Sequence, residues 1–104
     1  KFMERARSEW LKKWGITQRA LLDENIQLVV HRLECRYAKP ARLDDELSVS
    51  AELKSHSACR LSFHQVVQHG GEPLCHATVD IACLDANSLK PRRWPAGLNK
   101  ALSA

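Results

Sequence analysis

CRLSFHQVVQHGGEPLCHATVDIACL, residues 59–84, decides the architecture. Odd positions 59 to 67 carry Cys59, Leu61, Phe63, Gln65 and Val67. Odd positions 75 to 83 carry Cys75, Ala77, Val79, Ile81 and Cys83. Alternation of this kind places one face of a strand on a core and the other toward solvent. Between the two runs stands His69-Gly70-Gly71-Glu72-Pro73, a hairpin signal. The pair reads as strands 59–68 and 74–84 of an antiparallel sheet.

Working outward, residues 46–54 alternate in the same way. Leu47, Val49, Ala51 and Leu53 face inward, and Ser48, Ser50, Glu52 and Lys54 face outward. Residues 26–37 (IQLVVHRLECRY) are rich in aliphatic and β-branched types and read as a further strand. Lys39-Pro40-Ala41 with Asp44-Asp45, and Ser55-His56-Ser57, supply the turns. Links this short imply a meander in which each strand pairs with the next.

Ahead of the strands, Phe2, Met3, Ala6, Trp10, Leu11 and Trp14 fall within half of a helical wheel. Residues 2–14 therefore read as an amphipathic helix that Gly15 terminates, with both tryptophans on a wide buried face. Arg7 intrudes on that apolar arc. Glu4, one turn earlier, is placed to pair with it, or else the two form a polar spot aimed at a pocket or subunit interface. Residues 18–24 add a short helical turn, and the tail after Lys90-Pro91 carries a further short helix. One helix followed by a long-stranded sheet is an α+β layout, with the helix on the inward row of the sheet.

Composition narrows the function classes. The chain has 104 residues, 44% apolar and 27% charged, a globular balance for one domain. No apolar run approaches the ~20 residues of a membrane span. Cys35, Cys59, Cys75 and Cys83 include no CxxC pair and sit largely in strand-like runs. They read as free thiols used as small core residues in a reducing cytoplasm. With His31, His64, His69 and His76 they lack the short ligand spacings of a zinc site, so no metal is expected. The formal charge of +4 favours an acidic partner. Lys90, Arg92 and Arg93 form the densest basic cluster outside the first helix. They are candidates for charge-assisted contact with phosphate groups, set against a plain solvated tail. A nucleic-acid-binding role lacks aromatic–basic interleaving on a strand and a basic reading helix, and no nucleic-acid partner is expected.

Three segments carry a family resemblance. Lys1-Phe2-Met3-Glu4-Arg5-Ala6-Arg7-Ser8-Glu9-Trp10-Leu11 resembles the central helix of the 4-hydroxybenzoyl-CoA thioesterase-like hot-dog family. Tyr37-Ala38-Lys39-Pro40-Ala41-Arg42-Leu43-Asp44-Asp45-Glu46-Leu47 resembles its Tol-Pal-associated short-chain acyl-CoA branch. Phe63-His64-Gln65 and Leu89-Lys90-Pro91-Arg92 before Pro95 do so as well. The resemblance implies an antiparallel sheet wrapped around one central helix, assembled as a homodimer or homotetramer with active sites at the dimer interface. It implies hydrolysis of short-chain or aromatic acyl-CoA in the cytoplasm, without a cofactor. A non-catalytic hot-dog subunit that binds acyl-CoA or serves assembly is the alternative.

The resemblance also implies a first strand and a loop ahead of the helix, with an Asp acting as nucleophile or general base. Residues 1–104 are then expected to form a single hot-dog domain lacking that strand and loop. The chain opens on Lys1 without a basic-then-apolar leader, which suits a start that lies upstream. The catalytic acid is thus unassigned within the chain. Glu4, in the first helical turn, is a candidate for catalysis and for substrate binding, and Lys90, Arg92 and Arg93 are the candidates for the phosphates of coenzyme A.

Overall fold

A computed structural model describes residues 2–39 and 46–103. Residues 40–45, the whole of the Pro-Ala-Arg-Leu-Asp-Asp motif, lie outside the described residues. The elements are α1 (Phe2–Lys12), α2 (Gln18–Asp23), β1 (Ile26–Tyr37), β2 (Ser48–His56), β3 (Arg60–His69), β4 (Glu72–Asp85) and α3 (Ala96–Ser103).

The helix α1 stops two residues earlier than its apolar spacing predicts. Gly15 sits at φ +78°. Its N–H donates to the Lys12 carbonyl at 3.1 Å, and the Ile16 N–H reaches back to the Leu11 carbonyl at 3.1 Å. These are the two bonds of a Schellman cap, closed by the apolar pair Leu11 and Ile16, both buried. The cap lifts Trp14 off the helix. Trp14 is therefore 45% exposed, against the expectation of a buried face that included it. Trp10 stays on that face and meets Phe63 edge-on, with ring centroids 5.1 Å apart. Thr17 then caps α2, its side-chain oxygen accepting from the Ala20 N–H.

All pairings in the sheet are antiparallel, and the strand order is β1-β4-β3-β2. The expected meander holds for β2, β3 and β4 only. After β1 the chain crosses to the far edge, and β1 pairs with β4, from Ile26 opposite Asp85 to Tyr37 opposite Cys75. The physical reason lies in the apolar content of β4, whose inward residues Cys75, Ala77, Val79, Ile81 and Cys83 are all buried. A strand so apolar occupies the centre of a sheet. The hairpin between β3 and β4 turns on Gly70 and Gly71, both at positive φ, between the paired His69 and Glu72.

The helix α1 packs on β2 and β3, and α2 packs on β1. The core unites Leu11 and Ile16 with Leu61, Phe63, Val79 and Ile81. Burial of a side chain such as Phe63 contributes roughly 1.5–3 kcal/mol. Trp94 and Leu98, from the C-terminal segment and α3, complete this core. The tail is thus part of the packed body and not only a basic extension. Cys75 and Cys83 are buried, but Cys35 is exposed, because neither helix covers the second half of β1.

Candidate functional site

Between the first turns of α1, helix α2 and the start of β1 lies a pocket of about 570 Å³, within the range of small-molecule sites. Glu4, Arg7, Leu11, Leu21, Leu28 and Ile81 are among its lining residues. The sheet side of the wall is largely apolar, and the helix side mixes Glu4, Arg7 and Ser8 with Leu11 and Leu21. Glu4 is the carboxylate on this wall, and its side chain is exposed.

Arg7 does not use Glu4 as its direct partner. Among the described residues its Nη1 donates to Gln65 Oε1 at 2.8 Å. Gln65 is fully buried, and its Nε2 donates to the Met3 carbonyl at 2.8 Å and more weakly toward the Ser50 carbonyl at 3.4 Å. Burial lowers the Arg7 pKa from its ordinary value, and the charge of Glu4 offsets part of that fall. One strand residue thus ties the first turn of α1 to both β3 and β2. Sequence reasoning set Gln65 among the inward residues of β3 without giving it a role. The signal was available: a polar residue in an apolar row, and a cation in an apolar helical arc, are each other's partner.

The basic tail begins at the α2–β1 corner of the same pocket. Ala86 lines the pocket, and its N–H donates to the Asn25 carbonyl at 2.9 Å. Asp85 builds the following turn, with Oδ1 accepting from the Asn87 and Ser88 N–H groups at 2.9 Å each. Those bonds hold its carboxyl below the usual carboxylate range. Lys90 and Arg93 are exposed. Arg92 is held by the end of α2: its Nη1 donates to the Glu24 carbonyl at 2.7 Å, and its Nη2 lies 3.9 Å from the Glu24 carboxylate. The three cations therefore differ. Arg92 fastens the tail, while Lys90 and Arg93 are exposed and, among the described residues, make no ion pair.

Other expected features fall elsewhere. His64 and His76 stack 5.7 Å apart, on the sheet face opposite the helices. That face also bears Glu34 and Arg36 of β1, as the register requires.

A single antiparallel sheet with one helix across its inner face, and a small-molecule pocket at the first turn of that helix, is the layout of a hot-dog domain. The chain belongs to the thioesterase-like superfamily, whose family model matches residues 1–102. It is 36% identical over 98 residues to the acyl-CoA thioester hydrolase YbgC of Escherichia coli O6:H1, covering 93% of this chain and 73% of that one. To the acyl-CoA thioesterase YbgC of Haemophilus influenzae it is 36% identical over 101 residues, covering 96% and 74%. Among solved structures, a probable thioesterase from Bartonella henselae superposes with a TM-score of 0.82 at 31% identity, covering 90% of this chain and 78% of that one.

Proposed function

We propose that this chain is the hydrolytic subunit of an acyl-CoA thioesterase acting on short-chain or aromatic acyl groups. The observation that carries the reading is its 36% identity, over 93% of its length, to a protein named as an acyl-CoA thioester hydrolase. Thioester hydrolysis needs water or a carboxylate to attack the carbonyl carbon, donors for the developing oxyanion, and expulsion of the coenzyme A thiolate. The first turn of α1 supplies unpaired backbone N–H groups and the positive end of the helix dipole at the pocket. Gln65 fixes that turn against the sheet. The attacking acid belongs, on this reading, to the loop that the family places ahead of the helix, with Glu4 lining the pocket beside it.

The test is thiol release from a panel of acyl-CoA substrates differing in chain length and aromaticity, followed with a thiol reagent. Turnover of short or aromatic members supports the reading. Tight binding of acyl-CoA without turnover in a chain that includes the upstream loop moves the protein to the non-catalytic alternative.

The phosphates of coenzyme A lie, in this proposal, against Lys90 and Arg93. Neutralising both as K90Q/R93Q should raise KM for acyl-CoA roughly three- to thirtyfold, since exposed charge contacts are individually weak. Their effect on kcat should be small, because the phosphates are bound alike in ground and transition states. The KM effect should shrink as salt rises and vanish with an acyl-pantetheine substrate. An equal loss on both substrates would assign the cluster a structural role.

Assembly belongs to the same proposal. The radius of gyration is 14.8 Å, above the ~13 Å of a compact domain of about 100 residues. Leu22, Val30, Leu33 and Tyr37 are exposed along α2 and β1, an apolar row of the kind that marks an interface. The protein should run in solution as a homodimer or homotetramer. A stable monomer at micromolar concentration in light scattering would count against this. The free thiols suit a cytoplasmic location, and the resemblance of the motif from Tyr37 to Leu47 supports assignment to the Tol-Pal-associated branch.

A further inference from the structure

Helix α2 contributes Gln18, Leu21 and Leu22 to the lining of the pocket at the first turn of α1. The helix has little of its own to hold it there. It spans six residues, none of them buried, and a helix of that length is marginal in water. Its last four carbonyls lack partners within the helix. Leu21 is only partly buried where it packs against the core. What keeps this wall of the pocket in place comes from outside α2.

Two bonds from the segment after β4 meet the end of that helix. Arg92 Nη1 donates to the Glu24 carbonyl at 2.7 Å, and the Ala86 N–H donates to the Asn25 carbonyl at 2.9 Å. Asn25 sits at φ +56°, a left-handed residue that turns the chain out of the helix and into β1. The two carbonyls just past the last turn are thus taken in succession. Arg92 stands on an anchored backbone. Its own N–H donates to the Cys83 carbonyl at 3.0 Å, Pro91 bridges to Leu84, and Trp94 is 2% exposed.

We propose that Arg92 is a positioning residue that sets which acyl groups the pocket accepts, by clamping the C-terminal end of α2 beside the start of β1. The inference rests on the thioesterase reading of that pocket. It takes Arg92 out of the set of phosphate ligands, because its guanidinium is turned to α2, with Nη1 on the Glu24 carbonyl and Nη2 3.9 Å from the Glu24 carboxylate. Releasing the clamp lets Leu21 withdraw from the pocket wall. A fitted apolar pocket separates acyl groups one methylene apart by roughly 10- to 200-fold in kcat/KM, and a loose wall gives up part of that ratio.

Three variants divide the contact. Arg92→Gln removes the cationic clamp. Arg92→Lys keeps a charged donor without the planar fork of the guanidinium. Glu24→Gln keeps the carbonyl and removes only the carboxylate, whose 3.9 Å contact joins side chains 33% and 44% exposed and is weak for that reason. The damage should therefore be largest in R92Q, smaller in R92K and least in E24Q.

The experiment has two arms. Hydrogen exchange follows the amides of Leu21, Glu24 and Asn25, which carry the hydrogen bonds of α2. In R92Q they should exchange at least about tenfold faster, while the central strands β3 and β4 keep their protection. Kinetics then compares straight-chain acyl-CoA thioesters of increasing length with the matching acyl-pantetheines. The kcat/KM ratio between the preferred acyl group and the next longer one should fall about three- to tenfold in R92Q, equally on both thioester series, with partial recovery in R92K. Unchanged exchange at α2 would overturn the proposal. So would a KM effect confined to the CoA series, which would return Arg92 to the phosphates, or an equal loss at every acyl length, which would make its role structural. A wild-type protein that turns over none of the thioesters would defeat the thioesterase reading, and the acyl selection with it. Exchange at α2 would then still show whether Arg92 holds the helix, so the two failures are distinguishable.

Discussion

A form that carries, ahead of Lys1, the strand and aspartate-bearing loop implied by the family resemblance should hydrolyse acyl-CoA with a kcat about 10²–10⁴-fold above that of residues 1–104 alone. A positioned acid or base contributes about that factor. The pocket at the first turn of α1 has backbone donors, a helix dipole and Arg7, and Glu4 is the carboxylate lining it. Glu4 is exposed, and its charge acts on Arg7, a setting that suits a pocket-lining acid better than a base aimed at substrate. Substrate binding should change less than kcat, because the pocket and the basic tail are already in place. Steady-state kinetics on the two forms, with Glu4→Gln introduced into each, separates the possibilities. Equal kcat in the two forms would defeat this account. A drop of a hundredfold or more in E4Q of the extended form would move the acid to Glu4.

Gln65→Met should destabilise the fold more than any surface change, although Met has nearly the same volume. The substitution leaves the half-buried Arg7 guanidinium without the partner it holds at 2.8 Å and removes the added bond that the Met3 carbonyl accepts from Gln65 at 2.8 Å. Each buried group left unpaired costs about 1–3 kcal/mol. In a domain of this size, that corresponds to a fall in Tm on the order of 10 °C. The double variant R7M/Q65M should be less damaged than the sum of R7M and Q65M, because it removes both partners together. Thermal unfolding of the four proteins gives the coupling directly. A Gln65→Met protein with an unchanged Tm would mean that the pair is not what holds α1 to the sheet. In the extended protein, the first turn of α1 should also shift, so kcat should fall at temperatures where Q65M remains folded.

Much of the fold was legible in the residues. The period-2 runs of β2, β3 and β4 were read with the correct inward faces, and β1 with both of its ends. The Gly70-Gly71 hairpin and the Gly15 stop were read from residues with a backbone reason to be there. The family resemblance agreed with the matched thioesterase model over residues 1–102. What failed were relations between elements. Trp14 was placed in the core by its position on a helical wheel, but the Schellman cap ends the wheel at Lys12. Cys35 was read as a core residue because β1 is apolar, yet no helix reaches that half of the strand.

The sequence by itself determined the element types, the inward residues of β2, β3 and β4 and the family, because each rests on local periodicity or on a contiguous motif. The tertiary structure alone decided which strand neighbours which. Pairing depends on where the most apolar strand must sit, and so β1 joins β4 while the first link spans the sheet. It alone brought Arg7 to Gln65, 58 residues apart, Arg92 to Glu24, 68 apart, and Cys35 to Cys75, 40 apart. A hydrogen bond or thiol contact reaches only a few ångströms, and nothing in the order of residues states a distance until the chain has folded back on itself.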